Sequence, residues 1–135
     1  MEQVIGIDSV VFIYLLEYNQ RYFSGAERIL KAVERGTAQA VLASIGVIEI
    51  VTGPKKQGRF DVAGYYRQYL SSFPHLAIMN MSEPIVELAS DLCAKYSLRT
   101  MDAIHVATAI DFGADEFITN DKSLQKVKEI PVKLL

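Results

Sequence analysis

The sequence has a single cysteine, Cys93, among its 135 residues, so no disulfide can form within the chain. We interpret Cys93 as a small core residue, and the chain suits a reducing compartment. Long apolar stretches are missing too, because the run over residues 10–16 is too short to span a bilayer and follows Asp8 rather than a basic segment. These absences predict a cytoplasmic protein with no membrane partner.

The sequence also lacks a strong charge of one sign. Lys and Arg number 14 and Asp and Glu number 16, which gives a net charge of -2 and a pI of about 5.7. Any nucleic acid must therefore be held by a local patch rather than by a global basic field. We interpret Lys55, Lys56 and Arg59 in "GPKKQGR" as a solvated loop, although a role in holding nucleic-acid phosphates stays open.

Two familiar kinds of site are absent. The two histidines and one cysteine make no spaced zinc motif. No Gly-Lys pair is followed by Ser or Thr, as a phosphate-binding P-loop requires. Repeats, low-complexity tracts and flexible linkers are missing as well, while 50% of the residues are hydrophobic and 22% are charged. We therefore expect one globular domain over residues 1–135.

Short apolar runs alternate with longer helical patterns along the chain. Expected strands lie at 4–7, 40–43, 76–79, 116–119 and 131–135, and expected helices lie at 10–16, 27–33, 44–51, 59–70, 83–96 and 100–112. Ser44 and Thr100 are expected to cap their helices, and Gly53-Pro54 is expected to end the third helix. Strands joined by helical crossovers predict an α/β fold, a three-layer α/β/α sandwich with a mainly parallel sheet of about five strands.

Four carboxylates occupy positions that such a sheet brings together. Asp8 follows the first strand, Glu49 lies one turn into the helix after the second, and Asp121 follows the fourth, in "FITNDKSL". Asp102 lies in the first turn of the helix before that fourth strand. Ligands bind at the carboxyl ends of parallel strands, and clustered carboxylates repel one another unless a cation offsets their charge. Magnesium or manganese suits such oxygen ligands, and phosphodiester hydrolysis is the natural reaction class.

Three stretches carry a resemblance to a known family. They are "IGIDSVVFIYLL", "LASIGVIEIVTGP" and "LRTMDAIHVATAIDFGADEFITND", and together they extend over nearly the whole chain. The chain resembles the PIN-domain ribonucleases, and within them it is most similar to the VapC-type toxins of prokaryotic toxin–antitoxin pairs. The last stretch is the most specific, because it joins an acid-bearing helix to a strand that ends in Thr-Asn-Asp.

The resemblance implies the fold, the reaction and the residues of a site. It implies a parallel-sheet α/β/α fold and cleavage of RNA that depends on Mg²⁺ or Mn²⁺. The implied metal-binding and catalytic acids are Asp8, Glu49, Asp102 and Asp121. Ser9 and Thr119 would orient a carboxylate or a water molecule, and Asn120 would support the turn. Lys122 and Ser123 stand where some relatives carry a further acid.

The same resemblance implies partners. Members of the toxin family are usually neutralised by a cognate antitoxin that covers the acidic site, and they often form homodimers. We therefore expect an RNA substrate, a cognate antitoxin and self-association, although the sequence identifies neither interface.

Other interpretations of these residues stay open. Taken singly, each acid can have a structural role: it can end a strand, lie on an exposed helix face, interact with a helix dipole or cap a helix. We interpret His105 as a packed residue with one hydrogen bond. The chain can also be a non-catalytic interaction module of the same fold. A phosphoacceptor receiver domain needs an aspartate after the third strand, where this sequence has Met79-Asn80-Met81.

Overall fold

Our computed structural model describes residues 3–135 of the chain. The strands are β1 (Gln3–Ile7), β2 (Ala38–Ala43), β3 (Leu76–Met79), β4 (Glu116–Thr119) and β5 (Val132–Leu134). The α-helices are α1 (Ser9–Leu16), α2 (Phe23–Glu34), α3 (Ser44–Lys56), α4 (Phe60–Ser71), α5 (Glu83–Tyr96) and α6 (Thr100–Phe112), and a 3₁₀-helix spans Lys122–Lys126.

All strand pairs within the described residues are parallel, and the strand order is β3-β2-β1-β4-β5. Ile5 of β1 pairs with Ala40 of β2 on one side and with Glu116 of β4 on the other. The chain builds outward from β1 to β3 and then returns to place β4 on the opposite side of β1. The strand order therefore reverses between β1 and β4, which is where open α/β sheets bind ligands.

Apolar side chains form a separate core on each face of the sheet. Phe12 of α1 and Leu30 of α2 pack on one face with Ile7 of β1. Leu92 of α5 packs on the other face with Phe117 of β4 and the buried side of α6. The expected three-layer α/β/α sandwich is confirmed.

The contact between β1 and α6 is unusually close. A Cβ atom on Gly6 of β1 would collide with the Cβ of Ala109 on α6, so only glycine allows this approach. Phe117 of β4 lies beside the same position. Asp102, in the first turn of α6, lies near Asp8 and Asp121, so this turn lies at the edge where β1 and β4 end.

Two details of the helix boundaries differ from the sequence-based expectation. Gly53-Pro54 does not end α3, which continues to Lys56 with Pro54 buried in its last turn. A proline removes one N–H donor, and the Pro54 carbonyl still accepts hydrogen bonds from the N–H groups of Gln57 and Arg59. Pro54 is buried in this turn, so packing against the rest of the chain outweighs the lost donor and the helix continues.

The expected N-caps were also wrong. Ser44 and Thr100 are the first residues of α3 and α6, Ala43 and Arg99 are the cap residues, and neither helix has a side-chain cap. In both cases the extended residue that precedes the hydroxyl takes the cap position. Among residues 3–135, no helix combines the length and hydropathy needed to cross a bilayer.

Candidate active site

The end of β1 and the end of β4 position Asp8 together. The Asp8 backbone N–H donates to the carbonyl oxygen of Ile118 in β4 at 2.9 Å, and Asp8 caps α1 because its Oδ1 accepts from the Val10 N–H at 3.4 Å. The buried hydroxyl of Thr119, the last residue of β4, donates to Asp8 Oδ2 at 2.8 Å. Two neighbouring strands thus hold this carboxylate at the carboxyl edge of the sheet.

Glu49 is held by two other helices. Its Oε1 accepts a hydrogen bond at 2.8 Å from the hydroxyl of Ser9, at the start of α1. Nε2 of His105 on α6 lies 2.6 Å from the same Oε1. Ser9 Oγ also lies 3.3 Å from Asp8 Oδ1, but a hydroxyl has one proton and we assign it to the shorter contact. Side chains from α1, α3 and α6 therefore meet beside Asp8.

The environment keeps Glu49 ionised. Burial raises the pKa of its carboxyl, but the hydrogen bonds from His105 and Ser9 outweigh that effect. The pKa of Glu49 therefore lies below its ordinary value. Glu49 is therefore a carboxylate at neutral pH, and carboxylate oxygens are ligands that hard cations prefer.

The pKa of Asp102 is shifted in the opposite direction from that of Glu49. Burial raises the pKa of the Asp102 carboxyl, and the negative charges of Asp8 and Asp121 raise it further. The Arg99 guanidinium, with Nε 3.4 Å from Asp102 Oδ2, offsets only part of this rise. Asp8 and Asp121 are thus close enough to disfavour ionisation of Asp102, and a bound cation would remove that cost.

Asp121 caps the 3₁₀-helix that follows β4, as the sequence predicts. Its Oδ1 accepts from the Ser123 N–H at 2.9 Å and from the Ser123 hydroxyl at 2.7 Å, and both bonds lower the pKa of Asp121. The Asp121 N–H donates to Thr119 Oγ1 at 3.2 Å, which connects it to the group that holds Asp8. Asn120 lies beside it and donates to the Tyr14 hydroxyl at 3.2 Å, so it joins this turn to α1.

Asp8, Glu49 and His105 each offer one ligand atom, and these atoms lie within 4.8 Å of one another. Two carboxylates beside one imidazole, with further acids nearby, fit a divalent cation by the chemistry of the donor set. Among the predicted acids, the structure brings Asp8 and Glu49 into this group, whereas Asp102 and Asp121 lie outside it within the part of the chain described.

His105 is the site residue that sequence reasoning undervalued. The imidazole is packed, with 3% of its surface exposed, and makes one hydrogen bond as expected, but its partner is an acid of the site. The available signal was the spacing Asp102-x-x-His105, which places both residues on adjoining turns of one helix.

The basic cluster that the sequence suggested lies at the end of α3. Lys55 and Lys56 are exposed there, and Arg59 pairs with Asp61 at 3.4 Å.

Comparison with known proteins identifies the fold family. Residues 5–130 match the sequence profile of the PIN domain, whereas no curated protein matches the chain. The structure is similar to a toxin–antitoxin complex from Klebsiella pneumoniae, with a TM-score of 0.73 and 25% identity over 96% of this chain and 95% of that one.

Two further solved structures share the fold at lower identity. VapBC2 from Rickettsia felis, bound to a DNA fragment from its promoter, has a TM-score of 0.74 and 16% identity over 98% of this chain and 99% of that one. VapC20 of Mycobacterium tuberculosis, a sarcin–ricin loop cleaving toxin, has a TM-score of 0.72 and 13% identity over 96% and 99%. With the sequence match over residues 5–130, the predicted family is confirmed: the chain belongs to the PIN domain family.

Proposed function

We propose that this chain is an endoribonuclease dependent on Mg²⁺ or Mn²⁺, acting as one catalytic domain over residues 1–135. The carrying observation is that a carboxylate oxygen of Asp8 and one of Glu49 lie within 4.8 Å of each other and of the His105 ring, at the carboxyl edge of a parallel sheet. Asp102 and Asp121 add negative charge to the same edge. Such a site suits a hard cation and a phosphate substrate better than an apolar ligand.

Each predicted site residue has a role in this proposal. Asp8 and Glu49 hold the cation directly, and Asp102 and Asp121 complete its charge balance or hold a second ion. Ser9 and Thr119 donate hydrogen bonds to Glu49 and Asp8, so each carboxylate keeps one orientation. Asn120 holds the turn that carries Asp121 against α1.

The proposed reaction is hydrolysis of a phosphodiester. When bound, the cation supplies positive charge beside the scissile phosphate and favours ionisation of water. The protein's own share is to position the acids and to accept hydrogen bonds from the attacking water. Glu49 can share that second task because its carboxylate accepts hydrogen bonds and is ionised at neutral pH.

The biological role follows from the similarity to toxins. Over 96% of its length the chain resembles a toxin–antitoxin complex at 25% identity. We therefore propose that it is the toxin of a type II toxin–antitoxin pair in the cytoplasm. Its partners would be an RNA substrate, a cognate antitoxin and a second copy of the chain.

The receiver-domain alternative has two observations against it. A receiver sheet has the strand order 2-1-3-4-5, whereas this sheet has β3-β2-β1-β4-β5. Asn80, rather than an aspartate, follows β3. A non-catalytic PIN module remains the second candidate, and the hydrogen bonds that orient Asp8 and Glu49 weigh against it because an inert module has no need of oriented acids.

The decisive experiment is RNA cleavage by purified protein. A panel of transfer, ribosomal and messenger RNAs is incubated with Mg²⁺ or Mn²⁺ and, in parallel, with EDTA. We expect cleavage with metal and no cleavage with EDTA. Asp8→Asn should lose at least about 10- to 100-fold in cleavage, the loss that is usual for residues supporting a metal ligand. Asp111→Asn, at an exposed position near the far end of α6, is the matched control and should cleave normally. Cleavage that survives Asp8→Asn would refute the assignment.

A further inference from the structure

The two ring nitrogens of His105 have different surroundings. Nε2 lies 2.6 Å from Oε1 of Glu49, while Nδ1 is buried and has no hydrogen-bond partner among residues 3–135. The ring packs against Gly46 of α3, where an added Cβ would lie 3.1 Å from His105 Cε1. Because glycine has no side chain, the imidazole fits between α3 and α6 at Gly46.

These surroundings select one tautomer of His105. A carboxylate only accepts hydrogen bonds, so the proton of a contact this short belongs to Nε2. Nδ1 then carries a lone pair. The opposite arrangement would set two acceptors against each other at 2.6 Å and bury an N–H without a partner. His105 is therefore a fixed donor with its proton on Nε2.

We propose that His105 is a positioning residue for Glu49 and not a ligand of the cation. This inference rests on the proposed function, because it assigns the Glu49 carboxylate to the cation. A nitrogen that carries a proton has no lone pair for a metal, so Nε2–H and Ser9 Oγ–H together fasten Oε1 of Glu49. Oε2 keeps its lone pairs for the cation. The ligands are then all oxygen, which favours Mg²⁺ or Mn²⁺ over Zn²⁺.

Nuclear magnetic resonance of ¹⁵N-histidine-labelled protein tests the tautomer directly. The chain has two histidines, so His105→Gln and His75→Gln assign both rings. His75 is an internal contrast, since its Nδ1 lies 2.9 Å from the carbonyl oxygen of Val33 and must donate to it. In metal-free protein we expect a proton on Nε2 of His105 and on Nδ1 of His75. A proton on Nδ1 of His105 would overturn the proposal.

The same spectra separate a positioning residue from a ligand. Mg²⁺ is diamagnetic and is titrated alone, without RNA. If His105 positions Glu49, its Nε2–H signal shifts but persists at saturating Mg²⁺. If the signal is lost because Nε2 binds the ion, His105 is a ligand and the proposal fails.

Mg²⁺ affinity measured by calorimetry gives the functional readout. His105→Leu removes the donor at similar volume and should weaken Mg²⁺ binding about 10- to 100-fold, the usual effect of losing a hydrogen bond to a ligand. His105→Gln keeps an N–H donor and should recover part of that loss, and it stands in for the leucine variant if the latter does not fold. His75→Gln should bind as the unaltered protein does.

These outcomes distinguish this inference from the proposed function. Unchanged Mg²⁺ affinity in both His105 variants would sink the positioning role, even in a protein that cleaves RNA. The expected tautomer and weakened Mg²⁺ binding, in a protein that cleaves no RNA, would keep the positioning role and refute the ribonuclease.

Discussion

Thr119 Oγ1 donates to Asp8 Oδ2 at 2.8 Å and accepts from the Asp121 N–H at 3.2 Å, so one buried hydroxyl joins two acids of the site. Asp8 and Thr119 are 111 residues apart and lie at the ends of the two strands between which strand order reverses. Open α/β sheets bind ligands at such a switch point, and the Thr119 hydroxyl fixes how Asp8 and Asp121 lie there.

Replacing this hydroxyl should harm both stability and activity. Thr119→Val keeps the shape but leaves the Asp121 N–H and Asp8 Oδ2 without their partner, so we expect a loss of about 1–3 kcal/mol in the free energy of unfolding. RNA cleavage should fall about tenfold or more because Asp8 loses its orientation. Urea denaturation and initial cleavage rates measure the two effects.

The chain offers a matched control for that variant. Thr108 is also buried, but its hydroxyl donates to the carbonyl oxygen of Ile104 within α6. Thr108→Val should therefore leave cleavage unchanged. Equal losses of cleavage in the two variants would show that packing, and not the bond to Asp8, explains the effect.

Alanine substitutions at Gly46 and Gly64 should change stability in opposite directions. A Cβ at Gly46 would lie 2.7 Å from Cδ1 of the buried Leu42 as well as close to His105. Gly46→Ala should cost about 1–3 kcal/mol of stability through overpacking and should weaken Mg²⁺ binding. Gly64→Ala on the exposed side of α4 meets nothing within 4 Å and should add about 0.5–1 kcal/mol. Thermal unfolding of both variants checks the signs.

Strand ends were predictable from sequence, since apolar runs stop where polar residues begin. The runs at 76–79 and 116–119 match β3 and β4, and the helical pattern at 83–96 matches α5. The parallel sheet then brought Asp8 and Asp121 to one edge, because every strand in it runs the same way.

The contact between His105 and Glu49 was beyond such reasoning. The two residues are 56 positions apart on different helices, and their meeting depends on how closely α6 approaches β1 at Gly6 and α3 at Gly46. Neither approach leaves a periodic signal in the sequence. Pro54 illustrates the same limit, because tertiary packing decided that α3 continues to Lys56.

Removing one acid should stabilise the metal-free protein. Burial raises the pKa of Asp102, so the unfolded state favours its ionised form more than the folded state does. That penalty is fully present above the raised folded-state pKa and disappears as pH falls below the ordinary value of 3.8. In EDTA at pH 7, Asp102→Asn should therefore raise Tm.

Calorimetry at pH 7 and at acid pH measures the change in Tm caused by Asp102→Asn and how that change depends on pH. The gain from Asp102→Asn should shrink on acidification, and Asp111→Asn on the same helix should give little change at either pH. A lower Tm for Asp102→Asn at pH 7 in EDTA would show that its bond to Arg99 outweighs burial and repulsion.

Metal should stabilise the unaltered protein but not an Asp8 variant. A ligand that binds only the folded state at 100 times its Kd adds about 2.7 kcal/mol to the free energy of unfolding. Asp8→Asn is a sharp test because Asn caps a helix as well as Asp does, so α1 keeps its start while the site loses a charge. Melting curves with and without Mg²⁺ should therefore show a large rise in Tm for the unaltered protein and for Asp111→Asn, and almost none for Asp8→Asn. An equal rise in all three would mean that Mg²⁺ binds elsewhere, and the acids at the edge of the sheet would then need another explanation.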